Sequence, residues 1–160
     1  LGNTARSLAL GRYAYEEARQ WALQRKQFGR LLCEFQGLQW MMADMSIQLD
    51  AARMMIHRAA ASANPFPDAT MAAQAKVFAS ESAIKVTTDA LQVFGARGYS
   101  RNYPMERMQR DARMFTIGGG TAQILRTVVA SRILERKLPQ TRDGHQRLAE
   151  KETAARLAAE

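Results

Sequence analysis

The sequence predicts an all-α fold, an up-and-down four-helix bundle. Apolar residues recur at spacings of three and four over long stretches, no segment alternates with period two, and glycine or proline clusters divide the chain into long helical pieces with short connections. Long antiparallel helices joined in this way pack with their axes about 20° apart.

The first helix is expected from about Asn3 to Gln27, where Ala14, Ala18, Trp21 and Ala22 form one stripe and Arg12, Glu16, Arg19 and Gln20 lie off it. Phe28-Gly29 ends it, because glycine readily takes the left-handed conformation that stops helices. A second helix is expected from about Glu34 to Ala63, with Leu38, Met41, Met42, Met45, Leu49, Ala52, Met55 and Ile56 in helical register. Methionines at this spacing read as adaptable core packing. Asn64-Pro65-Phe66-Pro67-Asp68 is a turn by composition. The third helix runs from about Ala69 to Val93 and turns Ala75, Phe78, Ala79, Ser82, Val86 and Ala90 inward.

Gly95, Gly98, Tyr99 and Tyr103 mark a loop, followed by a short helix from about Met105 to Arg113. Gly118-Gly119-Gly120 then precedes Thr121, the N-cap of a last long helix reaching about Arg136. Residues 1–137 are expected to form the bundle. Residues 138–160 are a polar tail, rich in Ala, Glu and Arg, expected as a marginal or fraying helix.

The chain has 160 residues, 47% hydrophobic and 24% charged, which suits one domain with a core and leaves no room for a second. No apolar run approaches the roughly 18 residues of a membrane helix, and no signal pattern opens the chain. The expectation is a soluble protein of the cytoplasm or mitochondrial matrix. Leu1 enters a helical pattern almost at once, which reads as a piece of a longer polypeptide. Cys33 stands alone, so an internal disulfide and a Cys-Cys metal site are excluded. His57 and His145 are far apart and outside any ligand-spaced cluster, and they read as solvated, with no metal site expected. The net charge of +8 is spread along the helices without a block of five basic residues. This arrangement sets nucleic acid aside and leaves a few arginines available for phosphates.

Three segments put glycine and polar groups where a bundle needs neither. Arg25-Lys26-Gln27-Phe28-Gly29-Arg30 stands at a helix C-terminus. Its guanidinium groups suit bidentate phosphate pairing, although cations there also simply offset the helix dipole. In Gln92-Val93-Phe94-Gly95-Ala96-Arg97-Gly98-Tyr99 small residues permit close approach to a flat ligand, and a glycine helix stop explains the same pattern. Ile117-Gly118-Gly119-Gly120-Thr121-Ala122-Gln123 leads a glycine run into a helix N-terminus, where free amides suit a phosphate or a developing oxyanion. Three consecutive glycines cost backbone entropy, which favours ligand approach over a plain turn.

In this order the segments resemble the acyl-CoA dehydrogenase family. RKQFGRLLCEFQGLQWMMADM is similar to its helix-turn-helix signature R-K-x-F-G-x-x-x-x-x-x-Q-x-x-x-x-x-x-A-D/E-M. DALQVFGARGYSRNYPMERMQRDARMFTIGGGTAQILR is similar to a second signature, in which Q-x-x-G-G-x-G-[YF] is followed by tyrosine-proline, R-D-A-[RK] and G-T-x-Q. The resemblance covers roughly residues 4–136.

The resemblance implies a C-terminal four-helix bundle that follows a helical domain and a β-domain in a much longer chain. It implies FAD as cofactor, an acyl-CoA substrate oxidised to the 2-enoyl form, and an electron-transfer flavoprotein as partner. It further implies a homo-oligomer, dimer or tetramer, whose bundle reaches the FAD of a neighbouring subunit. By position, Arg25 and Gln27 are expected to approach the FAD pyrophosphate and Phe28 to pack against the cofactor. Gln92, Val93, Gly95 and Ala96 are expected along the pyrophosphate and adenine, and Thr121 and Gln123 where the last helix meets FAD. Ala96 departs from the family's second glycine. Gly119 and Gly120 are expected beside the acyl thioester.

Gly119 occupies the position where many members carry the Glu that removes the α-proton as the β-hydride passes to flavin N5. Glycine has no side chain and cannot be a base. A branch that includes the isovaleryl and long-chain enzymes has glycine here and places its Glu on this domain's first helix, at a position aligning just upstream of Leu1. Glu16 and Glu17 lie more than about 20 Å further along that axis, so no catalytic residue is assigned. The chain is expected to supply part of the FAD site and oligomer contacts and to be inactive alone. The alternative is a non-catalytic helical assembly module.

Overall fold

The computed structural model describes residues 1–139 and 142–158. Helix α1 spans Gly2–Gln24, α2 Gln36–Ala61 and α3 Ala69–Phe94. A single turn, α4, covers Ala96–Tyr99, and α5 (Met105–Phe115) and α6 (Ala122–Ile133) follow. The architecture is the expected helical bundle, with α3 at its centre packed against α1, α2, α5 and α6.

Small side chains put α3 there. Ala73, Ala75, Ala79, Ala83, Val86 and Ala90 are buried, so neighbours close around the helix from several sides. On α1 the facing stripe is Gly11, Ala14, Ala18 and Ala22. A Cβ at Gly11 would lie 3.2 Å from the Leu49 side chain and 3.6 Å from the Ala83 backbone, so three helices converge at that point. From α2, Met45, Leu49, Ala52 and Ile56 fill the core, and Met41, Met42 and Met55 pack half-buried against it. Buried hydroxyls are satisfied locally: Thr87 Oγ1 donates to the Ala83 carbonyl at 2.8 Å, and Ser82 Oγ ties α3 to α2 through Gln48 at 2.9 Å.

The first helix stops at Gln24, short of the expected Gln27. Arg25 is already extended, at φ −77° and ψ 130°. Lys26–Gln27 (β1) pair antiparallel with Arg30–Leu31 (β2), Gln27 opposite Arg30. Phe28 and Gly29 both have positive φ, 51° and 77°, the pattern of a type I′ turn whose twist suits a two-residue hairpin. The turn therefore redirects the last residues of the expected helix into a ribbon, and these four strand residues depart, among the described residues, from the all-helical expectation.

Elsewhere the boundaries move by a few residues. The segment after Gly95, expected as a loop, contains α4. Asn64–Pro65 is cis within the expected turn, and the Asp68 carboxylate caps α3 by accepting from the Met71 amide at 2.8 Å. Helix α6 ends at Ile133 rather than Arg136, where the Arg136 amide turns back to the Ser131 carbonyl at 3.0 Å. Arg142–Leu157 forms a further helix, α7, along the polar tail. Residues 140, 141, 159 and 160 of that tail lie outside the described residues.

Candidate functional site

Five of the sequence-derived positions meet in one cleft of about 380 Å³ at the C-terminal ends of α1 and α3. Arg25, Gln27, Val93, Gly95 and Ala96 line it, together with Trp21, Leu32, Phe94 and Arg97. The hairpin explains how. By ending α1 at Gln24 it carries Arg25 out of the helix, and the Arg25 carbonyl accepts from the Leu32 amide at 2.9 Å. With its amide oxygen turned inward, Gln27 accepts from Arg25 Nε at 3.3 Å. Beneath the cleft Trp21 stacks on Phe94, ring centroids 4.8 Å apart and planes 11° from parallel, and Tyr103 meets both rings edge-on or tilted. Ala96 lies in ordinary helical backbone, so the departure from glycine introduces no backbone strain.

Two expected contributors stand apart from the cleft lining. Gln92 is exposed on the last turn of α3. Phe28 sits at the hairpin tip, 92% exposed and in left-handed backbone. The left-handed backbone is the one the type I′ turn requires, and the ring packs against no core residue.

The glycine run lies elsewhere. Gly119 lines a cavity of about 470 Å³ with Asn3, Thr4, Ala72, Ala73 and Lys76. Gly119 and Gly120 both have positive φ, 71° and 91°, which disfavours any side chain there. A Cβ on Gly119 would lie 2.7 Å from Asn3 Nδ2, so the first turn of α1 occupies the space that a longer residue would enter. Lys76, 6% exposed, donates from Nζ to the Gly120 carbonyl at 2.6 Å. Burial pushes its pKa below the ordinary lysine value, with Glu81 opposing.

Thr121 and Gln123 line a third, smaller cavity with Glu81, Ile84, Arg113 and Thr116. Thr121 caps α6 as expected, its Oγ1 accepting from the Ile124 amide at 3.2 Å. Arg126 holds α6 to α3 through Glu81 at 2.7 Å, and this bond draws the Glu81 carboxyl below its ordinary value. The 17 residues of α3 between Lys76 and Val93 correspond to about 25 Å. The glycine run and the arginine cleft are therefore far apart on one rigid helix.

Glu16 is no substitute for a base at Gly119. It is bonded to Arg19 and Gln20 on the surface, and the Arg19 bond above all lowers its pKa to about 2. It lies about 20 Å along α1 from Asn3. His57 and His145 are exposed, and among the described residues no three His, Cys, Asp or Glu converge on a metal position. No helix among the described residues is long and apolar enough to cross a membrane.

The fold and the ordered glycine and arginine segments define a class, and comparison with known proteins agrees: the family described as "Acyl-CoA dehydrogenase, C-terminal domain" matches residues 1–134. The chain belongs to the acyl-CoA dehydrogenase family, as its C-terminal domain. It is 61% identical over 150 residues to the 3-sulfinopropanoyl-CoA desulfinase of Advenella mimigardefordensis, covering 94% of this chain and 37% of that protein. Desulfinases of the same description from three other bacteria fall at 59–62%. The short-chain specific acyl-CoA dehydrogenase of Clostridium acetobutylicum is 42% identical, over 83% of this chain and 35% of that protein. The solved butyryl-CoA dehydrogenase of Megasphaera elsdenii superposes with a TM-score of 0.81 at 39% identity, over 83% of this chain and 35% of that one. The chain thus spans about a third of the length of the relatives it matches.

Sequence reasoning assigned no place to Asn3, Lys76 or Arg97, which line these cavities. Asn3 and Lys76 come from regular helical stretches, and their partners lie more than 40 residues away. Only the spacing of a buried lysine on an otherwise alanine-rich face gave a signal.

Proposed function

We propose that this chain is the C-terminal domain of an FAD-containing enzyme that removes the sulfinate group from a short 3-sulfinoacyl-CoA. The observation that carries this reading is Gly119. It offers no carboxylate to take a proton, a lack that desulfination tolerates and that dehydrogenation has to make up from outside this chain, and the group nearest to a side chain there would be the Asn3 amide. The 59–62% identity to four desulfinases supports the same substrate class. Desulfination replaces a carbon–sulfur bond by carbon–hydrogen: the 3-sulfinoacyl thioester and water yield the acyl thioester and hydrogen sulfite. No net electrons leave, so neither a dehydrogenating base nor an external acceptor is required.

The residues present fit FAD. The cleft of Arg25, Gln27, Gly95 and Ala96 contains guanidinium groups and no carboxylate, which suits a diphosphate. Thr121 and Gln123 offer a second contact region, with Phe28 and Gln92 on the accessible rim of the hairpin and of α3. When bound, FAD would supply an electron sink for the reaction. The roughly 25 Å between the cleft and the glycine run supports a homo-oligomer in which one bundle serves cofactors of two subunits. Gly119 and Gly120 fit the thioester because they bring backbone amides close without side chains.

A second reading, dehydrogenation of an acyl-CoA to its 2-enoyl form with an electron-transfer flavoprotein as partner, is favoured by the 42% identity to a short-chain dehydrogenase. Its base would come from outside this chain. The two readings separate in one assay of the full-length flavoprotein without an acceptor. Desulfination releases sulfite from 3-sulfinopropanoyl-CoA while the flavin stays yellow. Bleaching of the flavin by butanoyl-CoA, with no sulfite released, would replace the first reading by the second.

A further inference from the structure

The arginine cleft holds two guanidinium groups, Arg25 of the first segment and Arg97, which stands at a variable position of the second. Arg97 comes from α4, a different element from Arg25, and lines the same cavity. Its guanidinium carbon lies 5.2 Å from the centre of the Trp21 ring. Its Nη1 is 3.5 Å from Tyr103 Oη, at the outer limit of a hydrogen bond.

Stacking uses the face of a guanidinium and leaves the N–H groups along its edge. The Trp21 ring is fixed in turn by its parallel stack on Phe94. Arg97 is exposed at the rim of the cleft beside the indole, and most of its donors stay uncommitted. Neither Arg25 nor Arg97 forms an ion pair among the described residues, and no carboxylate lines the cleft. Two like charges in one cleft repel each other unless an anion lies between them. A ligand with a single negative charge balances one of them, and a diphosphate balances both.

We propose that Arg97 is a second phosphate-binding arginine, sharing with Arg25 the diphosphate of the dinucleotide in this cleft. The proposal rests on the reading of the cleft as part of an FAD site and adds a residue and a charge balance to it. Trp21 acts as the platform that orients Arg97.

The test uses the full-length apoenzyme, with FAD and inorganic pyrophosphate as probes. R97Q should raise the Kd for FAD about tenfold, the scale expected for a lost charge-assisted hydrogen bond, and R97K should recover part of it. Pyrophosphate should compete with FAD in the parent and compete about tenfold less well in R97Q. A purely structural Arg97 would lower the melting temperature of the apoenzyme and leave pyrophosphate competition unchanged, which overturns the proposal. If R25Q weakens FAD while R97Q does not, the cleft reading stands and the second arginine falls. If neither weakens it, the cleft is not the diphosphate site.

Discussion

Lys76 Nζ lies 2.6 Å from the Gly120 carbonyl, joining residues 44 positions apart with the lysine almost wholly buried. The bond fixes the segment from Gly119 to Thr121 against the first turns of α3. Replacing Lys76 by Met keeps the stem and removes the donor, leaving the Gly120 carbonyl without it. We expect K76M to lose about 1–3 kcal/mol, read as a drop of several degrees in the melting temperature of the full-length protein. An unchanged or raised value would mean that burying the ammonium costs more than its bond returns.

The glycines at 98 and 119 should fail for different reasons. At Gly119 the near contact is the mobile end of Asn3, so crowding is cheap and the positive φ dominates. G119A should cost about 1–2 kcal/mol, and adding N3A should not recover it. At Gly98 a Cβ would lie 2.6 Å from the Leu91 carbonyl and 2.8 Å from Phe94 Cβ, neither of which can turn away. G98A should cost more, about 3 kcal/mol as for a strained core insertion, and should weaken FAD by moving α4. Denaturant melts of both variants give the order.

Phe28 should show opposite effects on stability and binding. Asparagine is favoured at the first position of a type I′ turn, and Phe28 is too exposed for its loss to remove much burial. F28N should therefore stabilise the apoprotein by about 0.5–1 kcal/mol while weakening FAD. Equal FAD affinity in the two proteins would place the ring outside the cofactor contact.

Acid should loosen α6 from α3. The Arg126 bond holds the Glu81 carboxyl below its unfolded value of 4.5. The pair's contribution is therefore complete above 4.5 and is lost as pH falls through the lower folded value. Both side chains are about half exposed, so solvent screening limits the contribution to about 0.2–1 kcal/mol. E81Q should melt lower than the parent at pH 7 and match it at the acid end. A constant gap across that range would assign the loss to packing.

The long helices were legible because their periodicity survives in the fold: Ala14, Ala18 and Ala22, and Met45, Leu49, Ala52 and Ile56, are buried as their spacing required. The hairpin was not. Two residues per strand cannot display alternation, and its evidence was a Phe-Gly pair that serves equally as a helix stop. Of the residues the ordered motifs grouped, Arg25, Gln27, Val93, Gly95 and Ala96 line one cleft while Gln92 and Phe28 lie off it, and nothing local to any of them required either outcome. Lys76 and Arg97 escaped because their roles come from tertiary neighbours. Lys76 reaches across 44 residues, and Arg97 is defined by the indole beneath it.

The stack of Trp21 on Phe94 also gives the molecule an optical gauge of its own. One indole is shielded at the edge of the arginine cleft, and the other, Trp40, is 64% exposed on α2. A chromophore entering the cleft should dim the shielded, blue-shifted emission and leave the wet one as an internal reference. Occupancy then becomes readable as a colour ratio, without a label and without turnover.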